Sequence, residues 1–232
     1  MQNFIIPEEN LKNINLYSIK KDNDDFSLIR LCKTAIEKGF GSITVDMNYI
    51  SNAWKWIERS DVKLVAYINM IEKELSPIEL FKSIKYVFEN GADMVEVIMP
   101  LEFSNIDEEN VSKLMIEYLD IITEAKSFKE AKVCIETGFS PYLSQIRFLT
   151  KLLQKFNIDF IKTASSFYNK ASNINHLNLI LNNIKNINTK IDFLFDVKRC
   201  NKFIINNAFR LVEKSQFIKE NPLIISYPIE YL

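Results

Sequence analysis

Glycine is nearly missing from this chain. Only Gly39, Gly41, Gly91 and Gly138 occur in 232 residues, where average usage would give about 16. The sequence accordingly holds no GxGxxG stretch and no P-loop, so nothing speaks for a dinucleotide- or NTP-binding fold. Histidine is scarcer still, with His176 alone. The three cysteines, Cys32, Cys134 and Cys200, lack metal-ligand spacing, so a zinc site is not expected and a reducing cytoplasm is. No excess of one charge exists: 29 Lys and Arg stand against 30 Asp and Glu, a formal net charge of -1. With no basic stripe either, neither nucleic acid nor an anionic membrane is an expected partner. No apolar stretch approaches the ~18 residues of a membrane span. The start, Met1 to Glu9, lacks a basic region followed by a long apolar core, so no signal peptide is expected.

What is present is ordinary globular composition, 47% hydrophobic and 25% charged, in a length that fits one large domain or two small ones. Without a linker, repeat or low-complexity break, residues 1–232 read as a single domain. Short runs rich in Ile, Val and Phe predict strands near 15–19, 42–46, 62–69, 94–99, 131–137, 159–164, 191–198 and 223–227. Helical period fills the gaps, notably at 25–38, 107–127, 142–155, 172–186 and 203–215. Ser76, Pro77 and Glu79 spell an N-cap, a first-turn proline and a capping box. Asp107, Glu108 and Glu109 suit the positive end of the helix that follows. Gly39 and Gly91 suit left-handed C-caps. Eight strands and seven helices in strict alternation predict parallel strands with right-handed crossovers. Eight closes a TIM (β/α)8 barrel, with the last helix short or absent because the chain stops just after strand eight. An open doubly wound sheet is the rival.

Chemistry in such a barrel gathers at the carboxyl ends of the strands. Lys162 stands out there, inside the apolar run Asp159-Phe160-Ile161-Lys162-Thr163-Ala164. A buried ammonium is costly, so this lysine is either paired or deprotonated for work, and a neutral amine attacks carbonyls to form a Schiff base. A lysine whose stem lies in the core and whose head reaches solvent is the plain alternative. Glu96 sits between Val95 and Val97, on the opposite face of strand four. Strand five ends in Glu136-Thr137, strand seven carries Asp196 and ends in Lys198, and strand three ends in Asn69. Period alone leaves open which face lines the interior. If Glu96 and Lys198 face inward with Lys162, a second ammonium would lower the pKa of Lys162 and a carboxylate would shuttle protons. Otherwise Glu96 and Lys198 form an ion pair at the barrel mouth. His176 reads as a surface residue, and Trp54 and Trp56 as core or subunit interface.

Three segments carry a resemblance. Asn90-Gly91-Ala92-Asp93-Met94-Val95-Glu96-Val97-Ile98-Met99-Pro100, Lys132-Val133-Cys134-Ile135-Glu136-Thr137-Gly138 and Asp159-Phe160-Ile161-Lys162-Thr163-Ala164-Ser165 resemble, in order and spacing, motifs of the deoxyribose-phosphate aldolases. These are class I aldolases that cleave 2-deoxyribose 5-phosphate. The resemblance implies a Schiff-base lyase with Lys162 as nucleophile, Glu96 in place of the family's catalytic aspartate and Lys198 as its second lysine. It implies no metal and no cofactor, a small aldehyde or sugar phosphate as partner, and a homodimer. The family's glycine-rich phosphate loops are missing. Arg199-Cys200-Asn201-Lys202 follows Lys198, Thr163-Ala164-Ser165-Ser166 follows the nucleophile, and an aspartate of strand one becomes Asn15. Thr163, Ser165, Arg199 and Asn69 are the candidate substrate ligands. Two alternatives stand beside a deoxyribose-phosphate aldolase. One is a related Schiff-base aldolase with another, unphosphorylated substrate. The other is a degenerate, non-catalytic barrel with Lys162 salt-bridged and its mouth plugged by Phe167, Tyr168 or Tyr227.

Overall fold

Eight parallel strands close into one barrel in sequence order in a computed structural model, which describes residues 8–18, 25–125, 127–165, 167, 172–185, 188–194, 207–211 and 223–231. The strands are β1 (Ile14–Tyr17), β2 (Ser42–Asp46), β3 (Lys63–Asn69), β4 (Met94–Ile98), β5 (Glu130–Cys134), β6 (Phe160–Lys162), β7 (Lys190–Leu194) and β8 (Ile224–Pro228). Helices α1 (Asp25–Lys38), α2 (Ile50–Ile57), α3 (Pro77–Glu89), α4 (Lys113–Ala125), α5 (Leu143–Lys155) and α6 (Ile174–Leu181) lie between them, with a further helical turn at 207–211. The ring is completed where β1 meets β8, with Asn15 opposite Ser226 and Tyr17 opposite Pro228.

Strand alternation explains how the core divides. One parity of strand residues, including Leu16, Ile43, Leu64, Val95, Val97, Val133, Ile161 and Phe193, joins the main apolar cluster with helix residues such as Leu31, Leu80, Leu119 and Leu149. That shell lies between sheet and helices. The other parity fills the barrel. Its lower layer is apolar, with Val65, Met94 and Phe160 packed together and Ile224 against them. A small upper cluster joins Tyr17, Ala164 and Leu194. Between the two lie buried polar residues: Asn15, Thr44, Glu96, Lys132, Lys162, Asp192 and Ser226. A polar layer sealed between apolar ones is costly unless every group finds a partner.

Local signals account for several boundaries. The α3 capping box is formed: the Ser76 amide donates to Glu79 Oε2 (2.8 Å) and Glu79 N donates to Ser76 Oγ (3.4 Å). Gly39 and Gly91 have φ of 71° and 101°. A side chain at Gly91 would also meet the Trp54 ring. Trp54 and Trp56, expected in a core or subunit interface, are exposed to 42% and 45% on α2.

The acidic start assigned to the fourth helix is corrected. Asp107 instead closes a local turn, accepting from Glu109 N and Asn110 Nδ2. The helix begins six residues later, where Ser112 Oγ accepts from Met115 N. Strand five is also shorter than its apolar run. Beyond Cys134 the chain bends into a short 3-10 turn at Thr137–Phe139, which carries Glu136 and Thr137 outside the ladder.

Candidate active site

The buried polar layer is one connected network. Lys162, at the last position of β6, is 4% exposed. Its Nζ donates to both carboxylate oxygens of Glu96, at 2.8 and 2.9 Å. Glu96 reaches it from β4 because both residues belong to the inward parity. Lys132, from β5, lies 3.6 Å from Glu96 Oε2 and forms a short ion pair with Asp192 of β7. The second Asp192 oxygen accepts from Ser226 Oγ (2.7 Å), which accepts from Asn15 Nδ2 (3.0 Å). Asn15 Oδ1 in turn takes the hydroxyls of Ser42 and Thr44. Seven strands therefore contribute to one chain of hydrogen bonds and ion pairs across the barrel.

Two ammoniums face two carboxylates, so these four charges sum to zero. The signs follow from what each group sees. Burial opposes the charge on Lys162, but Glu96, then Asp192, outweighs it and holds the amine protonated well above the usual lysine range. Burial likewise opposes charge on Asp192, while Lys132 and Lys162 overcome it and keep its carboxyl below the usual range. This corrects the expectation of a resting, deprotonated amine. The second ammonium among the described residues of the network, Lys132, is spent on Asp192 and Glu96, so it does not drive the proton off Lys162. The Lys162 ammonium also lies 5.7 Å from the Tyr17 ring centroid.

Glu136 is the odd carboxyl. It is 1% exposed and its Oε1 accepts from Ser165 N at 2.7 Å. Its Oε2 is buried without a hydrogen-bond partner among the described residues. Burial pushes its carboxyl up to about 7, with the Ser165 bond and Lys162 pulling the other way.

The expected ligands fare differently. Ser165 forms the turn over Glu136, and its Oγ accepts from Phe167 N. Thr163 is a strut: its Oγ1 accepts from Leu194 N, and its carbonyl takes Thr137 N, Thr137 Oγ1 and Ser172 Oγ. Asn69, at the carboxyl end of β3, uses Oδ1 to accept from Ile71 N and leaves a buried Nδ2 without a partner among the described residues. Phe167 packs edge-on against Tyr67 at 5.4 Å between ring centroids. Tyr227 belongs to the outer core instead of a plug. Lys198, Arg199, Asp196, Lys202, Ser166 and Tyr168 lie outside the described residues. His176 is half-buried, not free on the surface: Nδ1 lies 3.2 Å from Thr137 Oγ1 and Nε2 lies 3.2 Å from Asn173 Nδ2. Asn173 Oδ1 is occupied capping α6, so its amide nitrogen must face the imidazole and the ring proton resides on Nδ1.

Lys132 and Asp192 escaped sequence reasoning as site residues. Each had the signal that exposed Glu96, a charged residue flanked by apolar strand neighbours: Ala131-Lys132-Val133 and Ile191-Asp192-Phe193.

Comparisons with known proteins agree with this architecture. No family model matches the chain. The deoxyribose-phosphate aldolase of Streptococcus pneumoniae (serotype 2, strain D39) is 27% identical over 165 residues, covering 70% of this chain and 72% of that one. The enzyme of the same name from Mycoplasmoides pirum is 21% identical over 168 residues, covering 70% and 71%. Among solved structures, the tetrameric deoxyribose phosphate aldolase of Aeropyrum pernix superposes with a TM-score of 0.74 over 96% of this chain and 88% of its own, at 16% identity. Fold, motif order and sequence similarity together make the chain a divergent relative of the deoxyribose-phosphate aldolases.

Proposed function

We propose that residues 1–232 form one aldolase domain, a lyase that uses Lys162 as a Schiff-base nucleophile, with 2-deoxyribose 5-phosphate as first-choice substrate. The observation that carries this reading is the Lys162 ammonium, buried at the end of β6 with both oxygens of Glu96 against it. That contact supplies the acceptor the amine needs. A proton passing from Lys162 to Glu96 turns a buried ion pair into two neutral groups, and a low-dielectric site tolerates that exchange. The freed amine then adds to the aldehyde carbon of the substrate. In the retro-aldol direction, cleavage of the carbon–carbon bond releases glyceraldehyde 3-phosphate and leaves an acetaldehyde enamine on Lys162, which hydrolysis frees. Glu96 returns protons during these steps. The reaction class calls on no metal or organic cofactor. Asn69 Nδ2, buried and unpartnered among the described residues, is a donor for a substrate hydroxyl. Arg199 and Lys198 are proposed for the phosphate and the second ammonium. A homodimer in the cytoplasm completes the proposal.

The second reading is a non-catalytic barrel. The two-point grip of Glu96 on Lys162 and the Tyr67–Phe167 contact favour it. Borohydride reduction with acetaldehyde or 2-deoxyribose 5-phosphate, followed by peptide mass mapping, separates the two. An adduct on the peptide containing Lys162, absent from Lys162→Met, is expected. An unmodified Lys162 at saturating aldehyde overturns the aldolase reading. Labelling by acetaldehyde with no saturable response to the phosphorylated sugar moves the assignment to an unphosphorylated substrate.

A further inference from the structure

Among the described residues, the polar interior holds three carboxyls and two ammoniums. Glu96 and Asp192 already balance Lys132 and Lys162 through ion pairs. Glu136 is the surplus acid. It is built differently from the other two: one oxygen is pinned by the Ser165 amide, at the turn immediately after Lys162, and among the described residues no cation pairs with it. Its second oxygen is buried and has no hydrogen-bond partner among the described residues. A buried charged oxygen without a donor is costly, whereas a carboxylic acid carries its own hydrogen and wants an acceptor. Both Lys162 and Glu96 are close enough to act on it electrostatically.

We propose that Glu136 is the acid of the Schiff-base step, delivering the proton on its free oxygen to the hydroxyl of the carbinolamine formed on Lys162. The proposal rests on the aldolase reading above and assigns to it a second proton carrier. The balance is as follows. Lys162 gives one proton to Glu96 and adds to the aldehyde carbon, breaking the carbonyl π bond. A second amine proton moves to the new oxygen, giving the neutral carbinolamine. Glu136 then protonates that hydroxyl, the carbon–oxygen bond breaks, water leaves and the nitrogen lone pair closes the C=N bond. Four protons begin on the Lys162 ammonium and the Glu136 acid. They end as one on the iminium, two on water and one on Glu96. The net charge of lysine and the two glutamates stays at zero, with the cationic iminium facing a newly formed Glu136 carboxylate. The cation that forms in this step offsets the anion that forms with it, a pairing not available in the resting site.

The burial that raises the Glu136 carboxyl to about 7 means that the acid form fades as pH climbs through neutrality. The test is Glu136→Gln, which keeps an oxygen for the Ser165 amide and carries no transferable acidic proton. Adduct formation at Lys162 is timed with acetaldehyde and borohydride across pH 5.5–8.5, alongside an infrared titration of the wild-type carboxyl stretch. Expected are a wild-type rate that falls above about pH 7, a variant rate reduced roughly 100-fold with that limb gone, and a protonated carboxyl band that vanishes near pH 7 and is missing from the variant. A variant with the wild-type rate and limb overturns the acid role alone. A wild type without a carboxyl band at pH 6 overturns it as well, whatever the rates. No adduct in the wild type sinks the aldolase reading, and the acid role falls with it.

Discussion

Lys132 and Asp192 are each at most 1% exposed and answer one another directly. Neither is stable alone. Removing one partner of a buried pair leaves a charge with neither water nor counter-charge, which costs about 3–5 kcal/mol. Lys132→Met should therefore lower the denaturation midpoint sharply, while Lys132→Met combined with Asp192→Asn should recover most of the loss. Urea unfolding of the two variants measures this, and equal losses would show that the pair is not the unit of stability. The same substitution has a second effect. Lys132 lies 3.6 Å from Glu96, so its removal strips the carboxylate of one of its two cations among the described residues and leaves Lys162 as the other. Glu96 and Lys162 were legible from sequence because a charge amid Val and Ile has to be explained. Lys132 and Asp192 offered the same anomaly. What hid them is that strand period does not say which face lines the barrel, and which residues share the level of Glu96 depends on the stagger of the closed sheet.

Elements were legible where the chain carries a local chemical reason for its boundary. Ser76 and Glu79 stop and start the backbone by themselves, and α3 begins where they put it. Ser76→Ala removes one half of that reciprocal cap, a loss of about 1 kcal/mol and a fall of roughly 2–4 °C in melting temperature for a chain of this size. Calorimetry reads it directly; an unchanged transition would mean that α3 is held by packing alone. Where the reason was statistical, the boundary moved. Asp107, Glu108 and Glu109 are favourable at a helix start, yet Asp107 spends its carboxylate on a tight turn and Ser112 caps α4 instead. β5 lost its last residues for a different cause. Ile135, Glu136 and Thr137 look like strand, but their positions are set by Lys162, Thr163 and Ser165 on the adjoining β6 segment. Those tertiary bonds deliver Glu136 to the site, and they are invisible from within its own segment.

At the level of the whole molecule, the barrel arranges its interior as oil, charge, oil. Val65, Met94 and Phe160 close it below, and Tyr17, Ala164 and Leu194 flank the polar layer above. The fold class followed from counting alternating segments. The layering did not, because it needs the register that places Asn15 beside Ser226 and Glu96 on the level of Lys132. One consequence of that layering reaches beyond structure. Dissolved ions weaken attractions between groups they can surround, and each member of this quartet is at most 4% exposed. Raising sodium chloride from 0.05 to 1 M should leave the rate at which acetaldehyde and borohydride label Lys162 unmoved, while loosening the exposed α3 pair of Lys85 and Glu89. A protein organised this way carries its own electrolyte inside, and the reactivity of its central amine is insulated from the ionic composition of its surroundings.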